Sequence, residues 1–431
     1  MRDQPTFSLL LYIPKPKRFI RRHFGCCSAQ QNLRIKGSHF DDSCHLFSIP
    51  LHTFIFSSLL RRRHMPEKRA EDDDDAVSQS PGTASAERKD SYDLVSLSAG
   101  TRVSGGRWTI IKELGQGAFG TVFLCSGNTD AGRREAAMKT ERADEEPFLW
   151  KEVRFMRGGG GREQQFLSTV RVGQGSEHFC RCFDEGRDVQ RDTQSGELVT
   201  FNYVVMSLIG RGLFDLLSKA GDVFSPGTAI GVSLQLLDAL RALHKVGYLH
   251  LDVKPENATI GRAETNERRR IFLIDFGLAR RYISQSGRFR RERSKTHFRG
   301  TPMYASIAAH ARADYCRADD IESWFYTLVD MYTGKLPWTH VTSERRTGKM
   351  KRLRLSHKPK EVQQRALHAL LKKCPPIFYD ILLHIDDLEF YQRPKYEWID
   401  RVLRDYLNTN GIHEFPYDWE KEANRRTRSA T

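Results

Sequence analysis

The sequence predicts an α+β fold in two lobes, a small antiparallel β-sheet lobe with one main helix and then a larger, mainly helical lobe. Three observations predict it. Between Arg107 and Gly210, short runs rich in β-branched and aromatic residues alternate with glycine-containing and polar turns, the signature of strands and hairpins. From Ser225-Pro226 onward, apolar residues recur at helical spacing. At 431 residues the chain is long enough to bury such a core without disulfides.

WTIIKELGQGAFGTVFLC, from Trp108 to Cys125, reads as a hairpin about a glycine turn. A further strand-like run, AAMK, ends at Lys139 after a polar turn from Gly127 to Arg134. LWKEVRFM reads as the helix of the small lobe and runs into a glycine-rich loop, Arg154 to Gln164. HFCRCFDEGRD and LVTFNYVVMSL follow as strands joined by a polar loop around Asp192 to Gly196. Ser225 and Pro226 mark a helix start, and Ile230, Leu234, Leu237, Leu240 and Leu243 fall on one face of that helix. Beyond Asp319 the helical pattern continues through IESWFYTLVDMYTG, VQQRALHALLKKC and IFYDILLHIDDL. The domain is expected over 107–422, with the small lobe over 107–209 and the large lobe over 210–422.

The flanks differ in composition. Residues 1–64 carry 11 Lys/Arg against 3 Asp/Glu, so they hold about half of the formal net charge of +15. The apolar stretch Leu46 to Leu60 is interrupted by Pro50 and His52 and falls short of the roughly 20 residues a spanning helix needs. Residues 1–64 are expected to be a disordered leader or sequence upstream of a true start at Met65. Residues 65–106, with four consecutive aspartates from Asp72, are too polar to repay their ordering and are expected to be a linker. Residues 423–431 form a short basic tail. The eight cysteines show neither paired CxxC motifs nor the regular spacing of a secreted scaffold, which points to reduced thiols in the cytoplasm or nucleus.

Five fragments fall in one order along the chain, each suited to part of a nucleoside triphosphate. In GQGAFGTV, Gly115, Gly117 and Gly120 allow a backbone turn to approach phosphates closely. Alone this motif also marks dinucleotide sites, but here a second strand follows it rather than a helix. Lys139 is placed to reach the α- and β-phosphates, and Glu152 in LWKEVRFM is placed to pair with it. In HLDVKPEN, Asp252 suits the proton of an attacking hydroxyl, Lys254 suits the charge of the moving phosphoryl group, and Asn257 suits a magnesium ion. Asp275 in DFG suits a second magnesium ion; a carboxylate directly after the apolar FLI run is costly without a cation or partner.

With these motifs on one chain, the sequence resembles a eukaryotic protein kinase. FLIDFGLARRY, RGTPMYASIAAH and RADDIESWFYTL resemble the casein kinase 1 group, in which Ala305-Ser306-Ile307 stands where most kinases have Ala-Pro-Glu. FNYVVMSLIGRGLFDL, HFCRCFDEGR and PYDWEKE are most similar to the tau-tubulin kinase-like subfamily. The resemblance implies the two-lobed protein kinase fold, ATP and Mg2+, and transfer to Ser or Thr of protein substrates that are acidic or already phosphorylated. It implies that Leu114 and Val122 join the glycines around ATP, that Met206 is the gatekeeper and Ser207 to Ile209 the hinge, and that Asp320 supports the catalytic loop. No specific nucleic acid, no transmembrane span and a monomer are expected.

Between Asp275 and Ile307 lie eight basic side chains, among them Arg288, Arg290, Arg291 and Arg293, and such a cluster suits phosphate or carboxylate on an incoming substrate. Three departures from the family stand out. Leu251 replaces the arginine that usually follows the catalytic-loop histidine, so activity is expected not to depend on phosphorylation of the segment after DFG. Met303 replaces a basic residue common in the group, and Gly158 to Gly175 and Asp188 to Val199 read as lengthened surface loops. The competing reading, prompted by Leu251, is a catalytically weak pseudokinase or scaffold. Mass measurement of the cellular protein's amino terminus tests the leader: a first residue at Met65 makes residues 1–64 upstream sequence, and one at Met1 makes them part of the chain.

Overall fold

The computed structural model describes residues 94–117, 120–129, 132–143, 176–284, 286–355 and 357–420. Arg102–Val103 (β1), Trp108–Gly117 (β2), Gly120–Thr129 (β3), Gly132–Arg142 (β4), Cys182–Arg191 (β5) and Leu198–Ser207 (β6) form one antiparallel sheet. Its spatial order is β1-β2-β3-β4-β6-β5. Alternation along these strands turns Trp108, Ile110, Phe123, Cys125, Met138, Phe201 and Val205 into one buried face. The helix expected from LWKEVRFM, and with it Glu152, lies outside the described residues, as do Gly158 to Gly175, the leader and the basic tail.

Two expectations are corrected in this lobe. The fold begins before residue 107: Val95, Leu97 and Val103 are buried in the same core as Trp108. Three aspartates hold this segment by accepting hydrogen bonds from it. Asp192 Oδ2 accepts from Ser96 N at 2.7 Å, Asp188 Oδ2 from Ser104 N at 2.7 Å, and Asp184 Oδ2 from Ser104 Oγ and Trp108 Nε1, both at 2.9 Å. Three scattered apolar residues show no periodicity in sequence, so composition made this stretch look like linker. The second correction concerns Asp188 to Val199. Half of it is strand, because β5 and β6 pair as far as Arg191 and Leu198. Only 192–197 turn, and Asp192 Oδ1 fixes that turn by accepting from the N–H groups of Gln194 and Ser195, both at 2.9 Å.

The chain leaves β6 through Gly210, whose N–H bonds Ile260 O at 2.9 Å, and enters the helical lobe. Its helices are Leu213–Lys219 (α1), Pro226–Lys245 (α2), Ile307–His310 (α3), Arg317–Thr333 (α4), Glu344–Arg352 (α5), Lys360–Leu371 (α6), Pro376–Asp386 (α7) and Tyr396–Thr409 (α8). Two short antiparallel ribbons lie between them, Tyr248–Leu249 (β7) with Arg280–Arg281 (β10) and Ala258–Ile260 (β8) with Ile271–Leu273 (β9). Helices α2 and α4 are buried on almost every side, as befits helices at the centre of a large lobe. They are tied by Trp324 Nε1 donating to Ser233 O at 2.7 Å.

Ser225 stands before α2 as its sequence suggests, yet its hydroxyl does not cap the helix. Instead its N–H and hydroxyl donate to the two oxygens of Asp418, at 2.7 and 2.8 Å. A carboxylate from the chain's far end thereby sits at the positive end of α2, with Tyr417 and Trp419 buried on either side of it. Close approach is why Gly227 carries no side chain: an added Cβ would lie 2.0 Å from His413 O.

Helix α5 and the turn after it bury two basic side chains, Lys351 and Arg354. Lys351 Nζ donates to Pro302 O at 3.0 Å and Ala305 O at 2.6 Å and sits over the rings of Tyr326 and Trp338. Arg354 pairs with Glu322 at 3.1 Å and Asp386 at 2.7 Å. In the same stretch, Tyr304 donates its hydroxyl to Asp330 Oδ2 at 2.7 Å.

Burial pushes the Asp330 carboxyl up to about 6, against the pull of the Tyr304 hydroxyl and with help from Glu256 and Asp222. Because the folded value lies above the unfolded one, the folded state holds the proton more tightly, and Asp330 costs stability as pH rises through this range. Asp330→Asn cannot ionise and still accepts from Tyr304. Its unfolding free energy relative to wild type is expected to rise by on the order of 2 kcal/mol between about pH 4.5 and pH 7.5. Urea titrations at the two pH values check this, and an unchanged difference would count against the shift.

Candidate functional site

Strand pairing brings the nucleotide candidates into line. Gly115 lies opposite Val122, Val122 opposite Lys139, and Lys139 opposite Val204, across β2, β3, β4 and β6. Leu114 falls where the register of β2 shifts, and it is exposed. Gly120 has φ +137°, and a Cβ there would lie 1.8 Å from Thr140 O, so the turn requires glycine for its own backbone. Gly115 is different: among the described residues a Cβ there would meet nothing within 4 Å. Gly117 ends β2 at the turn.

Met206 faces Ala137 across β4 and β6, two residues from Lys139. Ser207 commits its N–H to Arg181 O at 2.9 Å and accepts the Arg181 N–H on its hydroxyl at 3.0 Å. Ile209 is half-buried where the chain leaves the sheet.

Lys139 reaches into the helical lobe, with Nζ 3.6 Å from Asp275 Oδ1. Asp275 follows β9 in a left-handed conformation, φ +62°, and its Oδ1 accepts the Gly277 N–H at 3.3 Å. Ile274 donates its N–H to Asn257 O at 2.9 Å, so Asn257 and Asp275 are held on neighbouring strands of backbone. Asn257 Nδ2 donates to Asp252 O at 2.8 Å and Oδ2 at 3.0 Å. That assignment directs the amide oxygen of Asn257 away from Asp252, as an acceptor for a cation. An amide oxygen and a carboxylate with phosphate oxygens make the hard, oxygen-only set that magnesium takes, so these residues fit the ion.

Asp252 is the most heavily bonded group here. Its Oδ1 accepts from Thr301 N at 2.8 Å and Thr301 Oγ1 at 2.7 Å, while Lys254 Nζ lies 2.9 Å from Oδ2 and donates to Thr301 Oγ1 at 2.7 Å. Thr301 was missed in sequence. Its signal was present in RGTPMY, where glycine precedes a hydroxyl: Gly300 has φ +96°, and a Cβ on it would lie 2.5 Å from Leu251 O.

What holds this loop is Asp320, near the start of α4. Its Oδ2 accepts from His250 N at 2.7 Å and its Oδ1 from Leu251 N at 2.8 Å. His244 Nε2 lies 2.7 Å from Oδ2, and the other ring nitrogen of His244 lies 2.6 Å from the Tyr396 hydroxyl. With Nε2–H donating to the carboxylate, Nδ1 accepts from the tyrosine. Burial raises the carboxyl's pKa, but His244, His250 and the backbone donors outweigh it and leave it below the ordinary value. Leu251 has φ +70° and is buried, a conformation unusual for a branched side chain. The Asp320 bond to its N–H keeps it there.

The four candidate substrate arginines divide. Arg288, Arg290 and Arg291 are exposed. Arg293 is exposed as well but is engaged within the protein: its Nε and Nη2 donate to Asp314 Oδ1 at 3.3 and 3.1 Å and its N–H to Oδ2 at 3.0 Å, so it braces the segment. Arg280 also pairs with Asp314. Burial opposes the charge on Asp314, but the two guanidiniums hold its carboxyl well below the usual range.

Residues 108–394 match the protein kinase domain family. The chain is 34% identical over 332 residues to a probable serine/threonine-protein kinase of Dictyostelium discoideum, covering 77% of this chain and 59% of that protein. It is 30% identical over 332 residues to a provisionally named serine/threonine-protein kinase of Caenorhabditis elegans, covering 76% and 86%. To the serine/threonine-protein kinase spe-6 of the same worm it is 24% identical over 318 residues, covering 73% and 76%. The matched region thus spans less than two thirds of the Dictyostelium relative and more than two thirds of the two worm proteins. Among the described residues no helix is long and apolar enough to cross a membrane.

Asp320→Asn removes the buried charge and turns one accepting oxygen into a donor facing another donor. A loss of roughly 3 kcal/mol in unfolding free energy is expected, in the range for breaking a buried ionic network. Denaturant titration measures it, and a midpoint equal to wild type would mean that Asp320 does not carry the loop.

Proposed function

Because the chain belongs to the protein kinase family, we propose that it is an ATP-dependent serine/threonine protein kinase of the casein kinase 1 type, closest to the tau-tubulin kinase-like subfamily, favouring acidic or pre-phosphorylated protein substrates. The observation that carries this reading is the convergence of Lys139, Asp275, Asn257, Asp252, Lys254 and Thr301 through the contacts described above. Phosphoryl transfer asks little covalent chemistry of a protein and depends on positioning and charge, which is what these contacts provide.

In this reading Lys139 holds the α- and β-phosphates of ATP, and Asn257 and Asp275 hold magnesium. Magnesium, when bound, neutralises the charge on the β- and γ-phosphates. Asp252 takes the proton of the substrate hydroxyl as its oxygen forms a bond to the γ-phosphorus and the bond to the ADP oxygen breaks. Lys254, already beside Asp252, offsets the negative charge gathering there. Thr301 keeps the Asp252 carboxylate from turning away and lies on the segment that meets the substrate. The arginine-rich segment supports the acidic preference, and the reduced-thiol reading of the cysteines supports a cytoplasmic or nuclear setting.

Incubation with Mg-ATP and casein tests the proposal. Wild type should incorporate phosphate on serine or threonine; Asp252→Asn should lose at least roughly 10²-fold in rate, and Asp275→Asn should be similarly impaired. Equal incorporation by all three proteins would remove the kinase reading. Because Leu251 offers no charge to a phosphate, prior phosphatase treatment should leave the wild-type rate unchanged.

A further inference from the structure

Phe289 and Tyr391 are each 48% exposed and stand edge to face, with ring centroids 5.8 Å apart. They come from separate parts of the chain, the segment after DFG and the connection between α7 and α8. Both are braced from beneath by Arg317, which is only 8% exposed. Its guanidinium lies 5.1 Å from the centroid of Phe289 and 5.5 Å from that of Tyr282, and Arg317 Nη2 donates to Tyr391 O at 2.6 Å. Tyr391 is fixed further by the Glu292 N–H donating to its hydroxyl at 3.2 Å. The Phe289 backbone is set by a bridge to Ile283, with Ser284 N bonding Arg288 O at 2.7 Å and Arg290 N bonding Tyr282 O at 2.9 Å. These rings are not loose side chains that happen to lie outside.

Beside Phe289 the exposed charge is mostly positive, and Glu292 and Glu389 are the exposed acidic residues next to the two rings in sequence. Arg288, Arg290 and Arg291 adjoin Phe289 and are exposed, and none of the three is tied into the Asp314 brace that holds Arg280 and Arg293. The only acidic residue in 286–299 is Glu292. A mostly positive rim about a rigid pair of half-exposed rings is the makeup of a recognition patch rather than of a solvated face, because aromatic anchors supply contact area at low entropy cost and arginines suit carboxylates.

We propose that Phe289 and Tyr391, rimmed by Arg288, Arg290 and Arg291, form a docking surface for an acidic protein segment that carries an apolar anchor residue. It rests on the kinase reading in that the segment belongs to a substrate. Phe289 and its arginines belong to the same segment of chain that carries Thr301, which is bonded to Asp252. The rings take the anchor residue, the arginines take the carboxylates on either side, and docking raises the local concentration of a target serine or threonine.

The test uses the full chain and two labelled peptides of alternating Asp and Glu, one with a central Phe and one with Ala in its place, with binding read without ATP. The Phe peptide should bind about tenfold more tightly, the equivalent of about 1.4 kcal/mol. Phe289→Ala with Tyr391→Ala should abolish that ratio and leave affinity for the Ala peptide unchanged. R288E/R290E/R291E should weaken both peptides. Phe289→Leu, a milder change that retains an apolar side chain, should give an intermediate ratio and serves where the double variant is unstable. A wild-type ratio near one, or a ratio that survives the double variant, overturns the proposal. So does single-stranded RNA that displaces both peptides and depends on the same two rings. Ring-dependent peptide binding by a chain that transfers no phosphate supports the docking surface while removing the kinase reading. Transfer to casein with a ring-independent peptide ratio removes the docking surface alone.

Discussion

One buried carboxylate organises the site. Asp320 accepts from two successive backbone N–H groups of the loop that carries Asp252, and from His244 of α2, which in turn engages Tyr396 of α8. A charge so enclosed is tolerable only because donors surround it, and the reciprocal is that those donors have nowhere else to go. The loop is thereby fixed to α2 and α4, two helices buried on almost every side. Its left-handed turn at Leu251 is held by the core, and the positions of Asp252, Lys254 and Asn257 follow.

The segment from Asp275 to Ala305 is held at several points by different means. Lys139 meets Asp275 at its start, Asp314 grips Arg280 and Arg293, Thr301 is locked to Asp252, and Lys351 holds two carbonyls further on. Each anchor is a full or partial charge matched by an opposite one in a partly or fully buried place, where such contacts are worth most. None of them uses the side chain at position 251; the anchors come from the strands, the catalytic loop and the helices around the segment.

The strands, the long helices and the contiguous chemical motifs were legible in the sequence because their information is local. Alternation marks β2 to β6, helical spacing marks α2 and α4, and the residues of HLDVKPEN and DFG sit within a few positions of one another. What was not legible is whatever depends on pairing across distance. Nothing near Thr301 says that it meets Asp252, nothing near Arg293 says that it turns to Asp314, and a reading from composition counts both arginines of such a brace as free charge. Residues 94–106 failed for the same reason. Their three apolar side chains are ordinary until β5 and β6 supply the surface that receives them.

That last feature bears on where the folded unit can be cut. The family match begins at residue 108, but a chain trimmed to that point would strip Val95, Leu97 and Val103 from the small lobe's interior and leave Asp184, Asp188 and Asp192 without the amides and hydroxyl they now receive. A piece of this protein that keeps its small-lobe core intact therefore starts no later than Val95, and a boundary drawn from sequence likeness alone would cut into that core.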